Sequence, residues 1–405
     1  MASETRVRVG AIAVASALFA AGCMAGDSKG DQASLGNTGA SGANDGMNGA
    51  GSGPPVAHPV VITNLTSDQA DVAPNVAPSM INAWGIAAHN AMFWIADAGT
   101  GKISIVDGKG TPATGKPASG ALDLGEGITG IAATGVAADD MTLFQIHQDN
   151  ACAAAQLIVA SEDGKLFGVN PDINATGGLV VVDRSKVAAS YKGVAVVPSS
   201  AAMTGDHAAR GPLVLAADFH NARIDVFDAS FTLVTTPSFT VPGLPAGFAP
   251  FNVMTFDNTI YVTYAMQDAD KADEVAGAGL GVIAAFDPTG KLLGTLKGAP
   301  FNAPWGMART ARTAMTENAT GFAAFPRALL VGNFGDGAVT AIDPVQMTVL
   351  GQLLDATGAP AKVEGLWGLA FGDTVTNARA DGLYFAAGPD DEMHGLFGVI
   401  APAAP

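Results

Sequence analysis

Two recurring sets of side chains in this 405-residue chain could do chemistry. The first stands at the opening of short Gly-containing apolar runs: Asn82 and Trp84, Asn252, Asn302 and Trp305, and Trp367. The second stands in turns further along each stretch: Asp97, Glu162 and Asp163, Asp218 and His220, Asn333 and Asp336, and Asp390, Asp391 and His394. Carboxylates and amides are the oxygen ligands that Ca²⁺ takes, and a bound Ca²⁺ polarises a carbonyl or activates water. With indoles beside them, the same groups make a surface that hydrogen-bonds and stacks against a ligand. The residues are dispersed along the chain, so any joint chemistry depends on a fold that gathers them. For a single residue the structural role is the default: an Asp or Asn after a strand hydrogen-bonds its own turn, and Trp-Gly packs between sheets. For the set as a whole, a ligand-binding rim is expected.

The elements that must position them show most clearly in the stretch Ile81–Gly108. It holds three short apolar runs, Trp84–Ala87, Met92–Ala96 and Lys102–Val106, separated by turn residues. Each is too short for a helix and long enough for a strand. The turn Ala98-Gly99-Thr100-Gly101 supplies glycine where a tight hairpin needs positive φ. The pattern returns over Asn302–Asp343 and Gly365–Gly398, with weaker copies from Gly127, Lys192 and Pro250. The third strands end in IVDG, VFDA, AFDP and AIDP, which are turn-forming endings. Four antiparallel strands per unit, used six times, predict an all-β fold: a six-bladed β-propeller over residues 58–405. Val60–Leu65 is a lone strand, expected to close the ring by completing the last unit. Very little helix is expected.

In antiparallel blades alternate connections share a face. The loop entering each inner strand and the loop between strands two and three therefore line one rim, which brings both sets of candidates to one mouth of the channel.

The strand–turn–strand stretches ADAGTGKISIVDG, ADFHNARIDVFDA and GNFGDGAVTAIDP resemble NHL-type propellers. The longer segments NLTSDQADVAPN, FNAPWGMA, EGLWGLAFGD and AAGPDDEMHGLFG are similar to a family of exported bacterial proteins without an assigned biochemical role. This resemblance implies the propeller over residues 61–400. Lactonase-type propellers hold Ca²⁺ at the channel mouth with Glu, Asn and Asp. The present chain has those residue types on the expected rim but no local motif that fixes them.

The first 22 residues read as a lipoprotein signal peptide. Arg6 and Arg8 precede an apolar core, Val9–Ala20, too short to span a bilayer, and Ala20-Ala21-Gly22 leads into Cys23. This resembles a lipobox, which makes Cys23 the expected lipidation site. Residues 23–57 are Gly, Ser and Asn-rich and should form a flexible tether. With Cys23 lipidated, Cys152 is left without a partner and is expected to be a small buried hydrophobe.

Twenty basic residues against 37 acidic ones give a formal charge of −17, which excludes nucleic acid and a charge-driven membrane contact. The acidic run Asp268–Glu274 lacks the spacing of a calcium loop and reads as a solvated loop on the candidate rim. Two resemblances are spurious. Gly110–Lys116 mimics a phosphate loop but has Pro117 where Ser or Thr is needed, and Gly277–Gly281 precedes a strand rather than a helix. The expectation is a monomeric, lipid-anchored envelope protein, periplasmic or surface-facing. It would bind a small ligand or an envelope protein at one rim, without catalysis. The alternative is a Ca²⁺-dependent lactonase-like hydrolase.

Overall fold

The computed structural model describes residues 59–114, 121–125, 127–136, 142–198, 211–310, 322 and 325–403. Cys23, the leader and the tether lie outside these. The described residues form six antiparallel sheets arranged as blades, a six-bladed β-propeller with one 3₁₀ turn at Ser185–Val187 as its described helix. Blade 1 runs outward through Ala83–His89, Met92–Asp97, Lys102–Val106 and Ala121–Asp123. The inner strands of blades 2 to 6 are Ile128–Ala133, Tyr191–Val197, Phe248–Phe256, Pro304–Arg309 and Leu366–Phe371.

Second strands such as Leu157–Ser161, Leu329–Asn333 and Leu383–Ala387 are buried at every position. Blades press on both their faces, which is why they read as continuous apolar runs rather than alternating ones. The outer strand Leu292–Lys297 alternates between half-buried and exposed, as a strand with one wet face should. Between strands three and four, Asp107, Asp228, Asp287 and Asp343 each accept backbone N–H groups through Oδ1. These are the turn-forming aspartates expected from the repeats.

The ring closes as expected. Val60–Ser67 is the outer strand of blade 6 and pairs with Leu396–Pro402, with Ile62 opposite Ile400 and Val60 opposite Pro402. The shared sheet is extended by the two-residue strand Asn75–Val76.

The inner strands pack so closely that most meet at glycine. A Cβ added to Gly130 would come 2.7 Å from Val194 N, and one added to Gly368 would come 2.5 Å from Trp84 O. Blade 4 has Asn252 in place of glycine, and its Nδ2 donates to Trp305 O at 2.9 Å.

One expectation is corrected. Cys152 lies half-buried on the Gln145–Gln148/Ala151–Ala154 hairpin, an insertion of blade 2, rather than in the core.

Candidate functional site

Each inner strand carries one residue just ahead of its glycine, or ahead of Asn252 in blade 4. In blade order these are Trp84, Thr129, Lys192, Phe251, Trp305 and Trp367. In all six blades the pairing register of the inner strand shifts at or beside this position, as between Ala83 and Ile86 or between Tyr191 and Gly193. A bulge re-aims the side chain it carries. The aromatic members meet at the upper mouth, the end where the loops entering the inner strands lie. Trp84 and Trp367 have ring centroids 4.1 Å apart, Trp305 lies 5.8 Å from Trp367, and Phe334 stacks on Trp367 at 4.0 Å. Phe251 and Phe219 complete this buried floor.

Lys192 is the one charged member of the ring. Its side chain is 1% exposed. Nζ lies 5.2 Å from the Trp84 ring centroid and 5.8 Å from that of Phe219. It is ion-paired with Glu162 and, at 3.0 Å, with Asp273. Burial alone would lower the Lys192 ammonium, but Glu162, Glu274 and Asp273 outweigh it and hold it above the ordinary lysine value. Burial pushes the Glu274 carboxyl up to about 8; Lys192 opposes the rise, and Glu392 and Asp273 add to it. Burial also raises Glu392, against the pull of Asn82, Trp367 and Lys192. Glu392 accepts from Trp367 Nε1 at 3.0 Å.

Glu392 reaches the mouth through an uncommon backbone. Asp390, Asp391 and Glu392 have φ of 58°, 49° and 66°, a left-handed turn closed by Glu392 N donating to Gly388 O at 3.2 Å. Left-handed conformations cost non-glycine residues roughly 1–2 kcal/mol each, and such strain concentrates at functional sites. Beside this turn opens a cleft of about 530 Å³, walled by Phe334, Asp336, Lys362, Glu364, Asp391 and Glu392.

Glu274 implies a pH dependence. Between 4.5, its ordinary value, and about 8, the native chain holds a proton there that the unfolded chain has released. Stability therefore falls as pH rises through that window. Glu274→Gln should flatten this fall in urea-unfolding curves taken across the window; an unchanged slope would remove Glu274 from the buried cluster.

The predicted rim residues divide into three groups. Trp84, Trp305 and Trp367 form the floor, and Asp336 and Asp391 wall the cleft. Asp97, Asp218, Asn252, Asn302 and Asn333 are buried and bonded within the fold. Asp97 accepts from Ser104 Oγ at 2.5 Å and burial raises its carboxyl well above the ordinary range. Asp218 accepts from Asn221, Ser190 and Arg223, Asn302 Oδ1 from Gly277 N, and Asn333 Nδ2 donates to Pro300 O. Asn82 is buried, at φ 50°, with Oδ1 unpartnered. The third group lies at the periphery: Asp163 pairs with Lys165, Asp390 is exposed, His220 is half-buried, and His394 Nδ1 lies 2.8 Å from Asp68 Oδ2.

Lys192, Glu274 and Glu392 were missed by sequence reasoning. Aligning the repeats on their glycines would have found Lys192, since Lys-Gly stands where other repeats have Trp-Gly. The acidic run is corrected at its end. Asp270 and Asp273 are exposed and Asp268 is half-buried, but Glu274 pairs with Gln267 in a short strand that turns its carboxyl to the mouth. Among the described residues no group of three or more His, Cys, Asp or Glu is arranged to hold a metal ion. Among the carboxylates of the upper mouth the ammonium of Lys192 already supplies one cation.

No family model matches the chain. Two uncharacterised proteins of Acanthamoeba polyphaga mimivirus are similar to it. One is 30% identical over 240 residues, 57% of this chain but only 41% of that protein. The other is 27% identical over 349 residues, 84% of this chain and 79% of that protein. Among solved structures, a protein of unknown function from Bacteroides thetaiotaomicron is 12% identical at a TM-score of 0.49, covering 84% of this chain and 76% of that one. Virginiamycin B lyase from Staphylococcus aureus is 11% identical at a TM-score of 0.43, covering 84% and 98%. Both structural likenesses are partial, and the propeller assignment rests on this chain's own strand order and register.

Proposed function

We propose that this protein is a binding module whose upper mouth takes a small organic cation, an amine or quaternary ammonium group. The observation that carries this is an imbalance. Four carboxyl groups, of Glu162, Asp273, Glu274 and Glu392, surround the single ammonium of Lys192, above a floor of indoles. Glu274 holds a proton chiefly because it is desolvated there, and the neighbouring Glu392 and Asp273 add to this. A second cation would relieve the repulsion and gain from the aromatic faces. The buried indole N–H of Trp84 and Oδ1 of Asn82, both without partners in the protein, offer further contacts for a polar ligand.

Binding of a cation near neutral pH should displace the Glu274 proton. Calorimetric titration with tetramethylammonium in two buffers of different ionisation enthalpy should therefore give different apparent heats. Glu392→Gln should weaken binding roughly tenfold, the worth of one charged contact. Equal heats in both buffers, or binding of calcium alone with no response to the organic cation, would overturn this reading.

We further infer that the chain is exported and tethered through a lipid on Cys23, a reading supported by the order basic start, short apolar core, small residues, cysteine. The chain has two cysteines, so a lipid on Cys23 and a disulfide between Cys23 and Cys152 exclude each other. The mass of the Cys23 peptide before and after reduction decides between them, and Cys23→Ser should move the protein to the soluble fraction.

A further inference from the structure

The two mouths of the channel differ in chemistry. The upper one is acidic and floored by aromatic rings. The lower one is a funnel of about 330 Å³, walled by three residues from each of the six inner strands. These are nearly all Ile, Ala, Val, Met, Leu or Phe; Met254, Phe256, Met307 and Phe371 are the bulky ones. A void of only about 20 Å³, bordered by Trp305, Met307 and Asn252, lies between the two mouths, so the funnel is a separate site.

We propose that this lower funnel binds a small amphiphile, an apolar body carrying a carboxylate head. The apolar wall accounts for the body. Volumes of this order suit ligands of roughly ten to a dozen non-hydrogen atoms. The head is assigned by charge complementarity. Arg309 is the one charged residue on the described wall, at the end of the blade 5 inner strand. Its side chain is 18% exposed, and its nearest carboxylate, Asp257, stands 3.6 Å away and is itself more than half exposed. Nε of Arg309 is buried without a partner, as is Oγ1 of Thr255 on the same wall. A guanidinium presents a planar fork of donors that matches a carboxylate, and here, although the group also meets the Tyr261 hydroxyl, its Nε is left unused. A neutral apolar ligand would leave it so. This site is independent of the cation reading at the upper mouth.

The test is calorimetric titration of the full chain with decanoate below its micelle concentration, beside decanol. Decanoate should bind and decanol should bind about tenfold more weakly, the value of one charge-assisted contact. Arg309→Gln should weaken decanoate by a similar factor and leave decanol unchanged. Ala132→Trp, which fills the funnel from blade 2, should abolish both. Thermal melting of each unliganded variant separates lost binding from lost fold. The proposal fails if decanoate does not bind to the full chain. It also fails if decanoate and decanol bind equally and Arg309→Gln changes neither. Binding that emerges only after residues 311–321 are replaced by a short Gly-Ser linker would mean that the chain's own loop occupies the funnel, and would likewise overturn it.

Discussion

Replacing Lys192 with methionine should destabilise the protein by about 1–3 kcal/mol, less than a fully buried ion pair would lose, because its partners Glu162 and Asp273 keep much of their exposure and solvent screens the charge left behind. Methionine keeps most of the length and an apolar stem, so most of the packing beside Trp84 and Phe219 is retained. What is lost is the counter-charge. Glu162, Asp273 and Glu274 would then face one another across the mouth with nothing between them. Their carboxyls would hold protons more tightly in the folded chain than in the unfolded one, so the deficit should shrink as pH falls. Urea unfolding near pH 8 and near pH 5 measures this. The double variant Lys192→Met with Glu274→Gln should recover some of the loss at the higher pH. A deficit equal at both pH values, with no recovery, would show that Lys192 matters through its packing alone.

Deleting Val60–Ser67 should have an effect of similar or larger size. The strand makes seven register pairs with Leu396–Pro402 and contributes Val60 and Ile62 to the core between blades 5 and 6. Each such aliphatic side chain is worth roughly 1.5–3 kcal/mol when buried. The deletion also bares the edge of Leu396–Pro402, a template for pairing with another chain. Loss of the cooperative melt, with aggregation on warming, is expected, and a peptide of sequence VVITNLTS added in trans should restore some of the transition. Val61 faces outward and is 49% exposed, so Val61→Asp is the control and should shift stability by no more than about 0.5 kcal/mol. A truncated chain that melts like the full one would show that the ring closes without this strand.

The fold was legible in the sequence because its signals are local and repeated. Trp-Gly, the short apolar runs and the Asp-Gly turns recur along the six repeats, and each is read within a few residues. The closing strand was legible because Val60–Leu65 had no neighbour of its own. The site was only partly legible. The three tryptophans were found, since they share a motif. Asp97 and Asp218 look in sequence like Asp336, a carboxylate at the end of a second strand or in the turn that follows it, yet two are buried and one lines a cleft. That difference is made by what packs against the turn, which periodicity does not carry. Glu392 needed a run of three left-handed residues to reach Trp367, and nothing in Pro-Asp-Asp-Glu announces one. Glu274 belongs to a run whose other members are mostly exposed, so composition pointed the wrong way.

The pairing of Val60 with Pro402 has a mechanical consequence. The described chain enters and leaves the wheel, at Pro59 and Ala403, at the same corner of blade 6, on the side of the lower funnel, and Ala403 N donates to Pro59 O at 2.9 Å. A load applied between the two ends meets the first strand at its terminal pair, so its hydrogen bonds break in succession, as a zipper opens. Single-molecule extension from the two ends should therefore open blade 6 at low force before the other five yield. Grasped through blades 2 and 5, the same ring would have to break several ladders at once and resist far longer.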